Sequence, residues 1–231
     1  MTPRVLAVVP ARGGSKGLPR KNILPLAGRP LIQHSIAAGR GCPLVTECVV
    51  STEDEEIAGI ARQAGAEVMH RPAELATDLV PTHLVVRHVL EKLRDKGRDW
   101  DVVVLLQPTS PLRTAAHLTA CLEMFLPSAA RSVVSVCPAE HHPYKDLRIA
   151  DGWLTPLFSR EALETPRQQL PAAFRPNGAI FAVRVADFLE YGAFYVDPAL
   201  PFVMDARDSI DIDSLGDLRR AEAVLAGMDD A

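Results

Sequence analysis

The sequence predicts an α/β fold, with a mostly parallel sheet and helices on both faces. Three observations carry that prediction. Short β-rich apolar runs alternate with helical segments up to Val136. Two of the runs, VLAVV at 5–9 and VVVLL at 102–106, are continuously apolar, as buried strands covered on both faces must be. The chain has 231 residues, 48% of them hydrophobic and 23% charged, so one α/β domain can bury a sizeable core without disulfide staples.

Taken in order, residues 5–9 form the first strand, and a Gly/Lys/Arg loop follows at 12–22. The Gly28-Arg29-Pro30 turn opens a helix at 31–39, with Pro30 in its first turn. A second strand is expected at 48–51. The helix at 53–64 begins with acidic residues, which the helix dipole favours. A third strand at 67–69 leads to a helix at 82–96, and the strand at 102–106 to a helix at 115–125. The strand at 132–136 ends the alternation. Residues 138–177 are rich in Pro, polar and charged residues with weak periodicity, and read as an inserted arm. Strands return at 178–183 and near 202–205. Ser214 N-caps the last helix, 214–226, with Asp217 three residues on. The whole is one domain, 1–231, carrying the arm.

Composition excludes several classes. A net charge of −4, from 25 basic and 29 acidic residues, argues against nucleic acid or an anionic membrane held by bulk charge. No apolar run approaches the roughly 18 residues of a membrane span. Only Arg4 precedes the first apolar run and no small-residue cleavage site follows it, so it reads as a strand and not a signal peptide. Cys42, Cys48, Cys121 and Cys137 form no C-x-x-C pair and sit among apolar residues, as buried free thiols of a cytoplasmic protein do.

In such a sheet, ligands bind beyond the carboxyl ends of the strands. The segment Pro10-Ala-Arg-Gly-Gly-Ser-Lys-Gly-Leu-Pro-Arg-Lys-Asn22 stands there. It carries four cations, no anion and three glycines that let backbone N–H groups approach a polyanion. It is neither G-x-x-x-x-G-K-[ST], since Leu18 follows Gly17, nor G-x-G-x-x-G. On charge and glycine alone it reads as a phosphate cradle or as a solvated basic loop.

This loop resembles the signature loop of the acylneuraminate cytidylyltransferases. The resemblance continues through Arg71-Pro-Ala-Glu-Leu-Ala76, Leu105-Leu-Gln-Pro-Thr-Ser-Pro-Leu-Arg113, Glu140-His-His-Pro143, Pro166-Arg-Gln-Gln-Leu-Pro171, Phe174-Arg-Pro-Asn-Gly-Ala-Ile180 and Asp208-Ser-Ile-Asp-Ile-Asp213. It spans nearly the whole chain and implies a Rossmann-like nucleotidyltransferase sheet with an inserted dimerisation arm. The implied reaction transfers CMP from CTP to the anomeric C2 hydroxyl of N-acetylneuraminate, with pyrophosphate leaving. Arg12, Gly14, Ser15, Lys16, Lys21 and Asn22 would hold the nucleotide, Arg12 and Lys21 neutralising its triphosphate. Arg71 and Thr82, with main-chain groups around Val80, would recognise cytosine. Gln107, Arg175 and Asn177 would contact the sugar acid. Lys145 and Arg167 would reach an active site, that of a partner subunit in a homodimer, with Arg167 counted among the catalytic groups.

Asp211 and Asp213 form a D-x-D pair, which on an extended segment projects two carboxylates to one face. Alone it reads as a polar strand end. Beside a triphosphate it is a hard-oxygen site for Mg²⁺ or Mn²⁺, with Asp211 in the more direct role. The repulsion among Asp205, Asp208, Asp211 and Asp213 calls for such a cation. His141 and His142 lack a second ligand pair at zinc-like spacing and read as hydrogen-bonding residues. Phe181 stands where some members of the family have tyrosine, which leaves the acyl group of the sugar open. Legionaminate, pseudaminate or an eight-carbon acid are alternative acceptors. A nucleotide-binding regulator without chemistry is the alternative in another class.

Overall fold

In the computed structural model, which describes residues 2–15 and 17–227, strand β1 (Val5–Pro10) runs through the centre of the molecule. Val5, Leu6, Ala7, Val8 and Val9 are all fully buried. No residue of this run needs water on either face, so both faces are covered.

The remaining elements are the two-residue strands β2 (Pro25–Leu26) and β3 (Arg29–Pro30), then α1 (Leu31–Gly41), β4 (Glu47–Thr52), α2 (Glu55–Gln63), β5 (Glu67–His70), α3 (Thr82–Arg94), β6 (Val102–Leu105), α4 (Ala115–Phe125) and β7 (Ser132–Pro138). After these come β8 (Leu147–Ala150), β9 (Trp153–Pro156), α5 (Arg160–Glu164), β10 (Phe174–Arg184), α6 (Val185–Tyr191), β11 (Ala199–Val203) and α7 (Leu215–Leu225). Seven strands form one sheet in the order β11-β7-β10-β6-β1-β4-β5. β10 is antiparallel to both β6 and β7, and the other neighbours are parallel.

Alternation along β1 splits the core into two layers. Val5, Ala7 and Val9 pack with α1, α2 and α4 through residues such as Ile32, Ile57, Leu118 and Phe125. Leu6 and Val8 pack with α3 and α6 through Val89, Leu93 and Phe188. Each large apolar side chain buried this way contributes about 1.5–3 kcal/mol. A third, smaller cluster of Leu18, Leu26, Leu31, Leu112, Ile212 and Ala221 pins the glycine loop and α7 to the carboxyl edge of the sheet. All four cysteines are buried and unpaired with one another. No described helix is long and apolar enough to cross a membrane.

Helix starts follow local chemistry. Asp54 caps α2 by accepting from the Ile57 N–H at 3.0 Å, so α2 begins two residues later than its acidic run suggests. Ser214 and Asp217 form a reciprocal capping box on α7. Pro30 is the N-cap of α1 and not its first helical residue.

The arm lies between β7 and β10, and the Ala139 N–H to Ala173 carbonyl bond (2.9 Å) closes its base. It contains the hairpin β8–β9, whose turn residues Asp151 and Gly152 both have positive φ, as a two-residue hairpin turn requires. The hairpin, the short α5 and α6 are absent from the sequence expectation. His142 anchors the arm: its Nδ1 accepts from the Tyr144 N–H, which leaves Nε2–H to donate to the Pro171 carbonyl at 2.8 Å.

Candidate active site

The loops that leave β1, β5 and β6 at their carboxyl ends enclose a cleft of about 280 Å³. Arg12, Ser15, Lys21 and Asn22 line one wall, Arg71, Val80 and Thr82 another, and Gln107 and Thr109 the floor towards β10. Seven of the residues singled out in the sequence thus share one concave surface. Lys16 lies outside the described residues. A Cβ on Gly14 would meet nothing, and Gly14 does not line the cleft.

The glycine loop is held by carboxylates of the following strand–helix junction. Glu53 accepts the Gly13 N–H at 2.7 Å. A Cβ on Gly13 would collide with the Asp54 carboxylate, so the close approach needs glycine. Arg20 adopts left-handed φ (57°) and pairs with Asp54 and Glu56, which draws its charge away from the cleft. That guanidinium holds the Asp54 carboxyl below its ordinary pKa, against partial burial. Of the loop's described cations, Arg12 and Lys21 therefore face the cleft. Arg12 meets Asp78 at 2.6 Å and Lys21 meets Asp213 at 2.9 Å. The Asn22 side chain, which donates to the Arg12 carbonyl at 2.9 Å, ties the two ends of the loop together.

Arg71 is nearly buried, with its Nε and Nη2 donating to one oxygen of Glu53 at 3.0 and 2.9 Å. Burial lowers the Arg71 pKa and Glu53 opposes that shift. On the opposite lip, the Ile212 N–H binds the Thr109 carbonyl at 2.8 Å. Ile212 is fully buried while Asp211 and Asp213 face outward, so the D-x-D spacing puts both carboxylates on one side. Asp211 keeps contact with solvent, yet protein atoms crowd its carboxyl. That desolvation raises its pKa, helped by Asp213 and opposed by the Thr109 hydroxyl, Lys21 and Arg175. Asp208 instead faces His117 at 3.6 Å. Among the described residues no group of three or more His, Cys, Asp or Glu is placed to hold a metal.

Three residues expected at the substrate have their polar groups engaged within this chain. Asn177 is 1% exposed, and its amide donates to Ser209 Oγ (2.8 Å) and accepts from Ser135 Oγ (2.6 Å) and the Ala179 N–H (3.1 Å). These bonds lie inside the scaffold, at the bulge of β10. Lys145 donates to the Leu163 and Thr165 carbonyls of its own arm, which holds its ammonium there. Arg167 is exposed on the arm, with Nη2 donating to the Ala139 carbonyl at 2.9 Å, and is not among the residues that line this cleft. Arg175 stands 3.9 Å from Glu140 and near enough to Asp211 to act on its carboxyl.

Sequence reasoning missed Glu53, Asp78 and Thr109. Gly178 also matters: it has φ +77°, and a Cβ there would stand 2.8 Å from Gln107 Oε1 and from Ser110 Oγ. The positive φ and the close approach both require glycine.

Residues 6–165 match the family described as Cytidylyltransferase. The chain belongs to that family. It is 35% identical to the CMP-N,N'-diacetyllegionaminic acid synthase of Legionella pneumophila, over 96% of each chain. It is 30% identical to the N-acylneuraminate cytidylyltransferase of Escherichia coli, over 96% of this chain and 52% of that one. The pseudaminic acid cytidylyltransferase of Campylobacter jejuni is 28% identical, over 94% of each. The chain thus spans about half the length of the E. coli relative. In fold, it resembles CMP:2-keto-3-deoxy-manno-octonic acid synthetase solved with CTP, at a TM-score of 0.72 and 18% identity over 97% and 99% of the two chains. For this cytidylyltransferase the likeness fixes the architecture of the sheet that carries the cleft.

Proposed function

We propose that the cleft binds CTP and transfers CMP to the anomeric C2 hydroxyl of a nonulosonic acid, with N-acetylneuraminate the first candidate. One observation carries the reading: Arg12 and Lys21 share a cleft with Arg71 and Gln107, and Lys21 touches the D-x-D edge at 2.9 Å. Arg12, Ser15, Lys21 and Asn22 hold the triphosphate. Arg71, the backbone near Val80, and Thr82 hold cytosine, where a few fixed polar contacts reject uracil. Gln107 and Arg175 face the sugar acid, whose carboxylate suits the arginine.

The C2 oxygen attacks the α-phosphorus, the bond to the bridging oxygen of the β-phosphate breaks, and pyrophosphate leaves with that electron pair while the hydroxyl proton is released. Negative charge grows on the leaving group, beside Arg12 and Lys21, so these cations stabilise the transition state more than the ground state. Asp211 and Asp213 fit Mg²⁺ or Mn²⁺, which take one or two carboxylates and complete their shell with substrate phosphates and water. When bound, the ion neutralises phosphate charge and acidifies a nearby hydroxyl.

We propose a homodimer formed through the arm. Ile149, Trp153 and Leu154 are 77%, 78% and 69% exposed, and Leu157 and Phe158 are exposed too, so the hairpin and the segment after it leave apolar side chains that a second copy would cover. In such a dimer the exposed Arg167 would be the arm cation that reaches the partner's cleft.

A second acceptor, N,N'-diacetyllegionaminate, is favoured by the 35% identity to its Legionella synthase over almost the full length of both chains. Pyrophosphate release on mixing the protein with CTP, Mg²⁺ and each of a panel of 2-keto sugar acids tests the reading. Release with at least one nonulosonic acid is expected. Silence with all of them, alongside CTP binding, would favour the regulator.

A further inference from the structure

We infer that Glu53 is a specificity-determining positioning residue: a single carboxylate that locks the nucleobase-facing Arg71 to the phosphate loop. This rests on the cleft being a CTP site. Glu53 stands between the end of β4 and the Asp54 cap of α2, under the junction of the two walls. Its Oε1 accepts from the Gly13 N–H at 2.7 Å, and its Oε2 from Arg71 Nε and Nη2 at 3.0 and 2.9 Å. These are the short contacts of charge-assisted bonds.

The geometry has two consequences. First, Arg71 is 4% exposed at its side chain, and a guanidinium so buried needs a counter-charge, which Glu53 supplies. The Nε/Nη2 edge of the fork is taken, so the Nη1 end is what remains for a base at the cleft wall that Arg71 lines. Arg71 is thereby fixed in orientation before ligand arrives, which is what discrimination between two pyrimidines demands. Second, the same carboxylate holds the backbone at Gly13. A triphosphate that orders the loop and a base that engages Arg71 therefore act on one shared group, and binding at either subsite favours the other.

Glu53→Gln keeps the volume and removes the double acceptor. The amide offers one carbonyl oxygen, so it can serve Gly13 or Arg71 but not both, and its NH₂ faces the donor left over. Glu53→Asp keeps the charge but is one methylene too short to span both partners. The test is steady-state pyrophosphate release with CTP and with UTP, each variant's folding being checked by thermal melting. Expected for either variant is a loss of the CTP:UTP ratio in kcat/KM of about tenfold or more, the scale for a charged hydrogen bond, with the KM for the sugar acid within about twofold. In an Arg71→Met background the Glu53→Gln change should leave the ratio where Arg71→Met put it. If Glu53→Gln fails to fold, Glu53→Asp carries the test. A wild-type CTP preference that survives in a folded Glu53 variant overturns the role of Glu53 alone. A wild-type protein with no CTP preference overturns the cleft reading and this role with it.

Discussion

Replacing Lys21 with alanine separates chemistry from stability more sharply than other changes in the cleft. The Lys21 ammonium is 2.9 Å from the Asp213 carboxylate, and the two side chains are 15% and 77% exposed. Asp213 returns to water easily, so losing the pair costs no more than an exposed ion pair does, about 1 kcal/mol at most. For a chain of this length that shifts the melting temperature by roughly 2–4 °C. The effect on turnover is much larger. Removing one preorganised charge aimed at a developing anion costs roughly 10²–10³ in kcat, about 2.7–4 kcal/mol. Lys21→Ala should therefore melt within a few degrees of the wild type and release pyrophosphate at least a hundredfold more slowly at saturating CTP and sugar acid. A variant that turns over within about fivefold of the wild type would refute the placement of Lys21 on the phosphates. So would a fall in turnover fully explained by unfolding.

Further outcomes follow from other parts of the molecule. Gly178→Ala puts a Cβ against Gln107 Oε1 and Ser110 Oγ at a φ of +77°; it should destabilise by about 1–3 kcal/mol and raise the KM for the sugar acid more than that for CTP, as read by melting and by the two saturation curves. Asp217 sits in the α7 capping box. Partial burial pushes its carboxyl up, but Arg220, the Ser214 hydroxyl and the Asp213 and Ser214 N–H groups outweigh this and bring it down to about 2. A depressed carboxylate stabilises the fold above its unfolded value near 4 and loses that contribution as pH falls towards 2. Asp217→Ala should accordingly cost about 1 kcal/mol at neutral pH and flatten the acid limb of the stability curve between roughly pH 4 and 2, measured by urea melts. The proposed dimer predicts that the wild type sediments as a dimer and that Trp153→Asp, on the exposed arm, shifts it to monomer; an active wild-type monomer would remove the dimer and the partner-directed role of Arg167.

Legibility in the sequence tracked how locally each feature is determined. The central strands were readable because VLAVV and VVVLL have no polar face, and the α7 cap because Ser214 and Asp217 are a self-contained motif. The β8–β9 hairpin was missed even though Asp151-Gly152 is a strong turn signal, because its exposed apolar residues give no alternating pattern within one chain. Helix α6 is only seven residues long, too short for a helical period to declare itself. β11 lies earlier than expected, with Pro201 inside it, which only an edge strand tolerates.

In the site, the glycine loop and the D-x-D pair could be named from motif and position, and Arg71 and Gln107 through the family resemblance. Asn177 could not be placed, since its partners Ser135 and Ser209 come from segments 42 and 32 residues away. Glu53 was hidden for a different reason. An acid at the start of a helical run is explained by the helix dipole, and only the fold shows that Asp54 is the cap while Glu53 reaches across to Gly13 and Arg71.

A crystal structure of the protein grown with CTP and Mn²⁺ examines the cleft most directly, since anomalous scattering locates the ion. The triphosphate should lie between Arg12 and Lys21 on one side and Asp211 and Asp213 on the other, with the manganese peak on the aspartate side and cytosine against Arg71. Nucleotide bound elsewhere, or a metal peak away from both aspartates, would contradict the account.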